Sequence, residues 1–221
     1  GLILNHTGTI MVSRPDGIVS VIEPGQALPD IPSGSRVEVL NGGIEIEPTG
    51  GFIQLVLGDS VATLKAGDSV TASIEGKTAI ADFKVKKGQV NIITGNTTTA
   101  LGAGQQVQVG FDKVTGISTI KSIAGAIETF TVGVKAVISE GVMAKLRVDA
   151  RTRNVHIECV KGSVQMVTID GKVIELMEKE SIDTLGSAEG EIQAFQEQES
   201  RFEPIEEPGE PERPEASPHI P

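Results

Sequence analysis

The sequence is poor in aromatic residues. It contains no Trp, no Tyr and six Phe among 221 residues, although hydrophobic residues make up 38% of the chain. Surfaces that stack bases or sugars usually need aromatic rings, so this scarcity argues against recognition of nucleic acids and carbohydrates. The core must be packed mainly by Val, Ile, Leu and Ala, and the β-branched members of this group suit the pleated surface of a sheet.

The sequence also lacks a net positive charge, cysteine pairs and long apolar runs. Its net charge of −11 opposes binding to nucleic acids and to anionic membrane surfaces. Cys159 is the only cysteine, which excludes an intrachain disulfide. No run reaches 18 apolar residues, so no transmembrane segment is predicted. The first residue is Gly1 rather than Met, which favours a cleaved leader and export.

Short apolar runs follow turn glycines at Gly17, Gly42, Gly88 and Gly162. After Gly42 and Gly88, a Leu-x-x-Gly-x-x-Val pattern recurs at the same offset, and after Gly17 and Gly162 a related pattern follows one residue later. This spacing predicts four copies of one hairpin-like unit. Turn signals recur about every ten residues between the apolar runs. Together these patterns predict an all-β fold, in which repeated hairpins form a sandwich or barrel-like domain.

The composition divides the chain into five parts. Residues 1–13 are predicted as an N-terminal strand, and residues 14–112 as a first β domain. Isoleucines at helical spacing predict a crossover or short helix at 113–130, followed by a second β region at 131–185. Residues 186–221 are rich in Pro and Glu, which is typical of an extended acidic tail.

The first β domain resembles a known family. Its segments GIVSV (17–21), IPSGSRV (31–37), KKGQVNI (86–92) and LGAGQQV (101–107) are similar to the turn-glycine and aliphatic motifs of FecR-like β domains. The resemblance covers roughly residues 17–109. It implies a small all-β domain on the outer side of a cytoplasmic membrane, which in some members relays a signal to a sigma factor.

Several residues could suggest catalysis. Ser60 and Ser69 lie in two Gly-Asp-Ser-Val segments, but a catalytic serine needs an oriented histidine, and the chain has only three. Duplication of the segment favours a turn in which Asp and Ser bond the local backbone. Gly102-Ala103-Gly104 lies between predicted strands, so it lacks the helix that phosphate binding requires. We therefore expect no catalytic residue and no enzyme activity.

Metal binding is also disfavoured by the sequence. His156 and Cys159 are three residues apart on a predicted strand and should point to opposite faces, so they are not expected to share a zinc ion. Cys159 is better interpreted as a small buried hydrophobic residue. Asp59, Asp68 and Asp112 are more typical of turns than of a calcium site. No metal and no cofactor is expected.

The two ends of the chain carry the candidate interaction residues. The N-terminal strand either completes its own domain or adds to the sheet of a neighbouring molecule. Its candidate intersubunit residues are Leu2, Ile3, Leu4, Ile10 and Val12. The candidate docking residues of the tail are Phe202, Pro204, Ile205 and Pro208. Asn5 and Asn96 fit the N-glycosylation acceptor pattern.

The expected function is structural. We expect a secreted, extracellular or cell-surface subunit of an assembly, in the form of a filament held by strand complementation. The alternative is a FecR-like periplasmic sensor or scaffold that binds an envelope protein. The expected partners are copies of the same chain, in an oligomer or polymer, with no nucleic acid and no small-molecule substrate.

Overall fold

The fold is known from a computed structural model, which describes residues 2–75, 80–149 and 151–186. Over these ranges the chain forms twenty β-strands and no helix, and the strands lie in two large sheets. The prediction of an all-β fold built from repeated hairpins is therefore confirmed. Alternating Val, Ile and Leu residues direct one row of side chains of each strand into the core and leave the other row outside.

The nine-stranded sheet, called sheet A here, is antiparallel throughout. Its strands, in spatial order, are β1 (Leu2–His6), β5 (Gly42–Glu47), β8 (Ser69–Ile74), β9 (Ile80–Lys87), β12 (Gln106–Asp112), β13 (Ile117–Ala124), β16 (Met143–Val148), β17 (Asn154–Lys161) and β20 (Ser181–Leu185).

The second sheet, called sheet B, has eleven strands. In spatial order they are β19 (Val173–Met177), β18 (Ser163–Val167), β15 (Val134–Ile138), β14 (Ile127–Thr131), β11 (Thr97–Gly102), β10 (Gln89–Thr94), β7 (Ser60–Lys65), β6 (Phe52–Leu57), β4 (Arg36–Val39), β2 (Ile10–Ser13) and β3 (Val19–Ile22). One pair of this sheet, β4 with β6, is parallel.

The chain builds the two layers by alternating between them. From β6 onward each hairpin is laid in one sheet and the next hairpin in the other, so both sheets grow in the same direction. The exception comes early, where the long connection at 23–35 returns the chain across one end of the sandwich before β4. β4 and β6 are parallel because the single strand β5 of sheet A lies between them in the chain, so the chain reverses direction twice before it returns to sheet B.

A 37-residue repeat underlies this alternation. Positive-φ glycines occur at Gly51, Gly88, Gly125 and Gly162, each 37 residues after the one before. Each starts a unit of four strands, and the last unit contains three described strands. The predicted equivalence of the stretches after Gly42 and Gly88 is therefore wrong. Gly58 turns a hairpin within sheet B, whereas Gly104 lies where the chain passes from sheet B to sheet A.

Successive units are joined by a recurring contact. A side chain from the turn that enters sheet A covers the glycine that begins the next unit. A Cβ atom added to that glycine would overlap the covering side chain at Gly88 and Gly162, and would make a tight 3.2 Å contact at Gly125. The pairs are Gly88 with Asp68, Gly125 with Gln105, and Gly162 with Val142. At Gly88 the covering group is a carboxylate that also accepts a 2.7 Å bond from Lys65 N. The covering residues themselves follow the 37-residue period.

One continuous aliphatic core lies between the sheets. Its buried members extend from Ile3 to Leu176 without a break between the two predicted β regions. Residues 113–130, predicted as a crossover or short helix, form β13 and most of β14, so that prediction is wrong. The isoleucines spaced by three alternate between faces: Ile120 is buried, whereas Ile117 and Ile123 lie on the outer side. Sheets A and B therefore run uninterrupted through the proposed boundary.

Candidate interaction surfaces

The two ends of the sandwich are chemically different. At the N-terminal end, Ile3 and Ile22 are buried, and Ile31 of the 23–35 connection is 1% exposed. At the C-terminal end, the inward-facing Ile174 and Ile182 are only partly buried. The N-terminal end is therefore closed over its core, whereas the described strands of the last unit leave part of their core open. In stacked repeats, such an open end is the position that a cap or a neighbour normally covers.

The edge strands carry exposed apolar side chains and lack lysine and proline, although β19 and β20 also include the exposed Glu175 and Asp183. Val19 and Val21 of β3 are 57% and 56% exposed, and Val173 and Met177 of β19 are 58% and 55% exposed. None of the four edge strands, β1, β3, β19 and β20, contains a lysine or a proline. Natural edge strands commonly use these residues to prevent pairing with another chain. These edges are therefore suited to strand addition.

An apolar row crosses the outer face of sheet B from one edge to the other. Its members face one another strand by strand, and we call them the outer row: Val21, Met11, Glu38, Val56, Val61, Ile93, Thr98, Phe130, Lys135, Val167 and Val173. Eight of the eleven are apolar. The neighbouring row is mostly polar, with Arg36, Gln54 and Asn91 among its members. The outer row is thus the main apolar feature of that face.

The predicted intersubunit residues of the N-terminus lie within the molecule's own sheets. Leu2, Ile3 and Leu4 belong to β1, which pairs with β5. Ile10 and Val12 belong to β2, between β3 and β4, and both are fully buried. Ile3 is also buried, whereas Leu4 is half exposed. Residues 2–13 are therefore not a free donor segment, because withdrawing them would open the closed end of the core.

Other predicted interaction residues have different outcomes. The tail residues Phe202, Pro204, Ile205 and Pro208 lie outside the described residues. Asn5 of β1 and Asn96, at the tip of the β10–β11 hairpin, are both exposed. Each acceptor asparagine is therefore on the surface, where a glycan could be attached.

The serines and aspartates that could suggest chemistry hold turns and strand ends. Ser60 Oγ lies 2.8 Å from Thr94 Oγ1 in a buried pair. Asp59 forms an ion pair with Lys113, with 2.7 Å between Oδ1 and Nζ. Asp112 accepts bonds from Val114 N and from the Thr115 hydroxyl, and the Thr115 hydroxyl is the main reason why the pKa of Asp112 is lowered. Asp59, Asp68 and Asp112 therefore act in separate local contacts.

His156 and Cys159 point to opposite faces of β17, as predicted. His156 Nδ1 lies 3.0 Å from Asp183 Oδ1 on the outer face. Cys159 is fully buried, and its thiol donates to Gly162 O at 3.3 Å. The interpretation of Cys159 as a buried small residue is confirmed. Among the residues that the structure describes, no three His, Cys, Asp or Glu side chains form a group able to hold a metal ion.

We predict that Cys159 is inert in the folded protein. Burial raises the pKa of the Cys159 thiol, and the nearby Glu178 carboxylate acts in the same direction. Since the thiolate is the reactive form, labelling by a chromogenic disulfide reagent at pH 8 should be very slow in buffer and rapid in denaturant. Complete labelling of the native protein at the rate of a small free thiol would contradict this burial.

A shallow groove of about 120 Å³ lies on the outer face of sheet A. Lys145, Arg147, His156 and Glu158 contribute to its walls. Pockets for small organic ligands usually measure about 300–1,000 Å³, so this groove is too small for such a ligand. Its charged side chains are better described as cross-strand neighbours, since Lys145 faces Glu158 and Arg147 faces His156.

These features define an all-β, two-layer protein made of repeated hairpins, with exposed apolar residues at its ends and on the outer face of sheet B. Comparison with protein-family models, with curated proteins and with solved structures found no match. Within the described ranges, no helix has the length and apolar character needed to cross a membrane.

Sequence reasoning missed the edge residues Val21, Val173 and Met177. The short alternating runs that contain them are visible in the sequence, but every strand of this chain has such a run. Only the strand order shows which runs lie at an edge. The outer row was missed for the same reason, since its members are brought together by register between strands far apart in sequence.

Proposed function

We propose that this chain is an exported, non-enzymatic structural protein, a subunit of an extracellular or surface assembly that grows by strand pairing between copies. The observation that carries this proposal is the pair of edge strands with exposed apolar side chains, β3 at one end of sheet B and β19 at the other. Backbone hydrogen bonds across such an edge would supply affinity, and the exposed valines would be buried on pairing. The engagement of Ser60, Asp68 and Asp112 in turn and strand contacts supports a role without catalysis.

This form of the proposal differs from donation of the N-terminal strand. β1 and β2 stay in their own sheets, and the intersubunit contact uses the free edges of strands that are already folded. No segment has to leave a core, so association has a smaller conformational cost than strand exchange.

The proposal predicts that a lysine at either edge stops assembly. The average molar mass of the unmodified chain, measured by light scattering, should rise with concentration, and electron microscopy should show extended particles. Val21→Lys and Val173→Lys should each remain monomeric, because a charge at a pairing edge must be desolvated. The matched control is Val114→Lys, since Val114 is 95% exposed in the β12–β13 turn, away from both ends.

The folding control and the outcomes that would contradict the proposal are as follows. Circular dichroism should show the same strand content in all three variants. A chain that is monomeric at every concentration would overturn the proposal. Loss of assembly in Val114→Lys as well as in the edge variants would also overturn it, because the effect would then be one of added charge rather than of position.

A second candidate is a FecR-like periplasmic scaffold that binds an envelope protein. It is favoured by the middle of the outer row, where Ile93 and Phe130 are exposed far from both edges. Paired replacement Ile93→Ser and Phe130→Ser distinguishes the two functions. It should leave end-to-end assembly unchanged, but it should abolish binding to a partner that docks on the face of sheet B.

A further inference from the structure

The directions of the edge strands restrict how two copies can join. Sheet A contains eight antiparallel pairings, so its first and last strands, β1 and β20, run in the same direction. Sheet B contains nine antiparallel pairings and one parallel pairing, so β3 and β19 run in opposite directions. If a second copy extends both sheets without rotation, β19 of one copy lies antiparallel to β3 of the other. In the same junction, β20 of the first copy lies parallel to β1 of the other.

The backbone groups at the two edges of sheet B are oriented for this pairing. Thr168 N donates to Lys172 O at 3.0 Å, so the backbone of Lys172 faces β18. The backbone of the next residue, Val173, therefore faces the free edge, because successive residues alternate. At the other end, Arg14 N donates to Ile18 O at 2.9 Å. By the same alternation, Val21 turns its N–H and C=O groups outward.

The outer row fixes the register. Val21 and Val173 are the two terminal members of the row, so they lie at corresponding levels of sheet B. Placing Val173 of one copy opposite Val21 of the next makes the row continuous across the junction. The polar neighbouring row then continues from Glu175 to Val19. A copy rotated by half a turn about the long axis would instead bring β20, with the exposed Asp183, against β3.

The difference between the two ends of the sandwich also favours a junction between opposite ends of two copies. The open C-terminal end exposes part of Ile174 and Ile182, while the closed N-terminal end carries the 39% exposed Leu28 on its 23–35 connection. Joining the two unlike ends would let the closed end of one copy cover the open core of another. Pairing of two closed ends would leave both open ends uncovered.

The following inference rests on the proposed function. We propose that each end of the sandwich binds the opposite end of a second copy, head to tail. In this junction β19 is antiparallel to β3, and Val173 lies opposite Val21. Such a heterologous junction does not close on itself, so it generates a filament rather than a dimer. β20 and β1 continue sheet A across the same junction in the parallel sense.

Disulfide trapping tests the register. Opposed residues in antiparallel strands have Cα atoms about 5.5 Å apart, within the range of a disulfide. Because Cys159 is buried, the unmodified chain gives a clean background. A mixture of Val21→Cys and Val173→Cys should give a reducible cross-linked pair as its main product under mild oxidation. Mixing Val19→Cys with Val173→Cys should give much less, because diagonal positions are about 7–8 Å apart.

The outcomes separate this inference from the proposed function. Efficient cross-linking of Val173→Cys alone, or of Val21→Cys alone, would indicate two-fold pairing of like ends and overturn the head-to-tail junction. Assembly of the unmodified chain without the Val21–Val173 cross-link would also overturn the junction but leave the proposed function intact. A chain that stays monomeric would overturn both. A double-cysteine variant should give a ladder of cross-linked species if the junction is correct.

Discussion

Replacing Phe83 by alanine should lower the free energy of unfolding by about 3–5 kcal/mol. Phe83 lies on β9 in the middle of sheet A and is the largest of the fully buried side chains. Its register partners on the two neighbouring strands are Ala72 and Val107. Alanine has no rotamer that could fill the space of a lost ring, so the cavity would persist and the full cost would be felt.

Phe130→Ala is the matched control. It deletes the same ring from β14, where the side chain points to the outer face and is 39% exposed. Its effect should be no more than about 1 kcal/mol, as for most surface substitutions. Urea unfolding followed by circular dichroism measures both free-energy changes. For Phe83→Ala, the urea concentration at the unfolding midpoint should fall, while the slope of the unfolding free energy against urea concentration should not change. Equal losses for the two variants would mean that the ring of Phe83 is not a central core element.

The fold class was predictable because it depends on local patterns. Val90, Asn91 and Ile92 alternate inward and outward as the period-two reading requires, and the same holds for most strands. Turn glycines could also be recognised, since positive φ strongly favours glycine. These signals identify strands and turns, but they carry no information about which strands become neighbours.

The repeat was only partly predictable. A glycine flanked by aliphatic residues occurs at hairpins within one sheet, as at Gly58, and at connections between sheets, as at Gly104. Both kinds of connection need a glycine with positive φ next to a core-facing strand. The two sequence patterns are therefore alike, although the geometry of the connections differs. The 37-residue period can be found by aligning Gly51, Gly88, Gly125 and Gly162. The crossover or short helix predicted at 113–130 is not found, because a spacing of three residues also fits a strand whose two faces are both partly apolar.

The candidate interaction surfaces could not be predicted because they depend on strand order and on the register between paired strands. Val21 and Val173 belong to the same row only after ten strand pairings have been fixed in series. A change of one residue in any of these pairings would place the later members of the row on the opposite face. The closure of the N-terminal end likewise depends on how the 23–35 connection returns, which its Pro and Gly residues do not specify.

Gly88→Ala should cost about 2–4 kcal/mol, and it tests how the repeats are joined. Gly88 has φ of +82°, and a Cβ there would overlap Oδ1 of the buried Asp68 carboxylate. That carboxylate accepts bonds from Lys65 N at 2.7 Å and from Gln89 N at 3.3 Å, so moving it would break buried hydrogen bonds. Strain at the backbone adds to this loss.

Gly104→Ala provides the matched control for Gly88→Ala. Gly104 has nearly the same φ, +85°, but no atom lies within 4 Å of the position of its Cβ. It should show only the backbone strain, about 1–2 kcal/mol. Asp68→Ala should destabilise the unmodified chain yet have little further effect in Gly88→Ala, because the carboxylate would already be displaced. Strictly additive losses in urea unfolding would show that the Asp68–Gly88 contact does not join the units, and that each 37-residue unit is held to the next by its strand pairings alone.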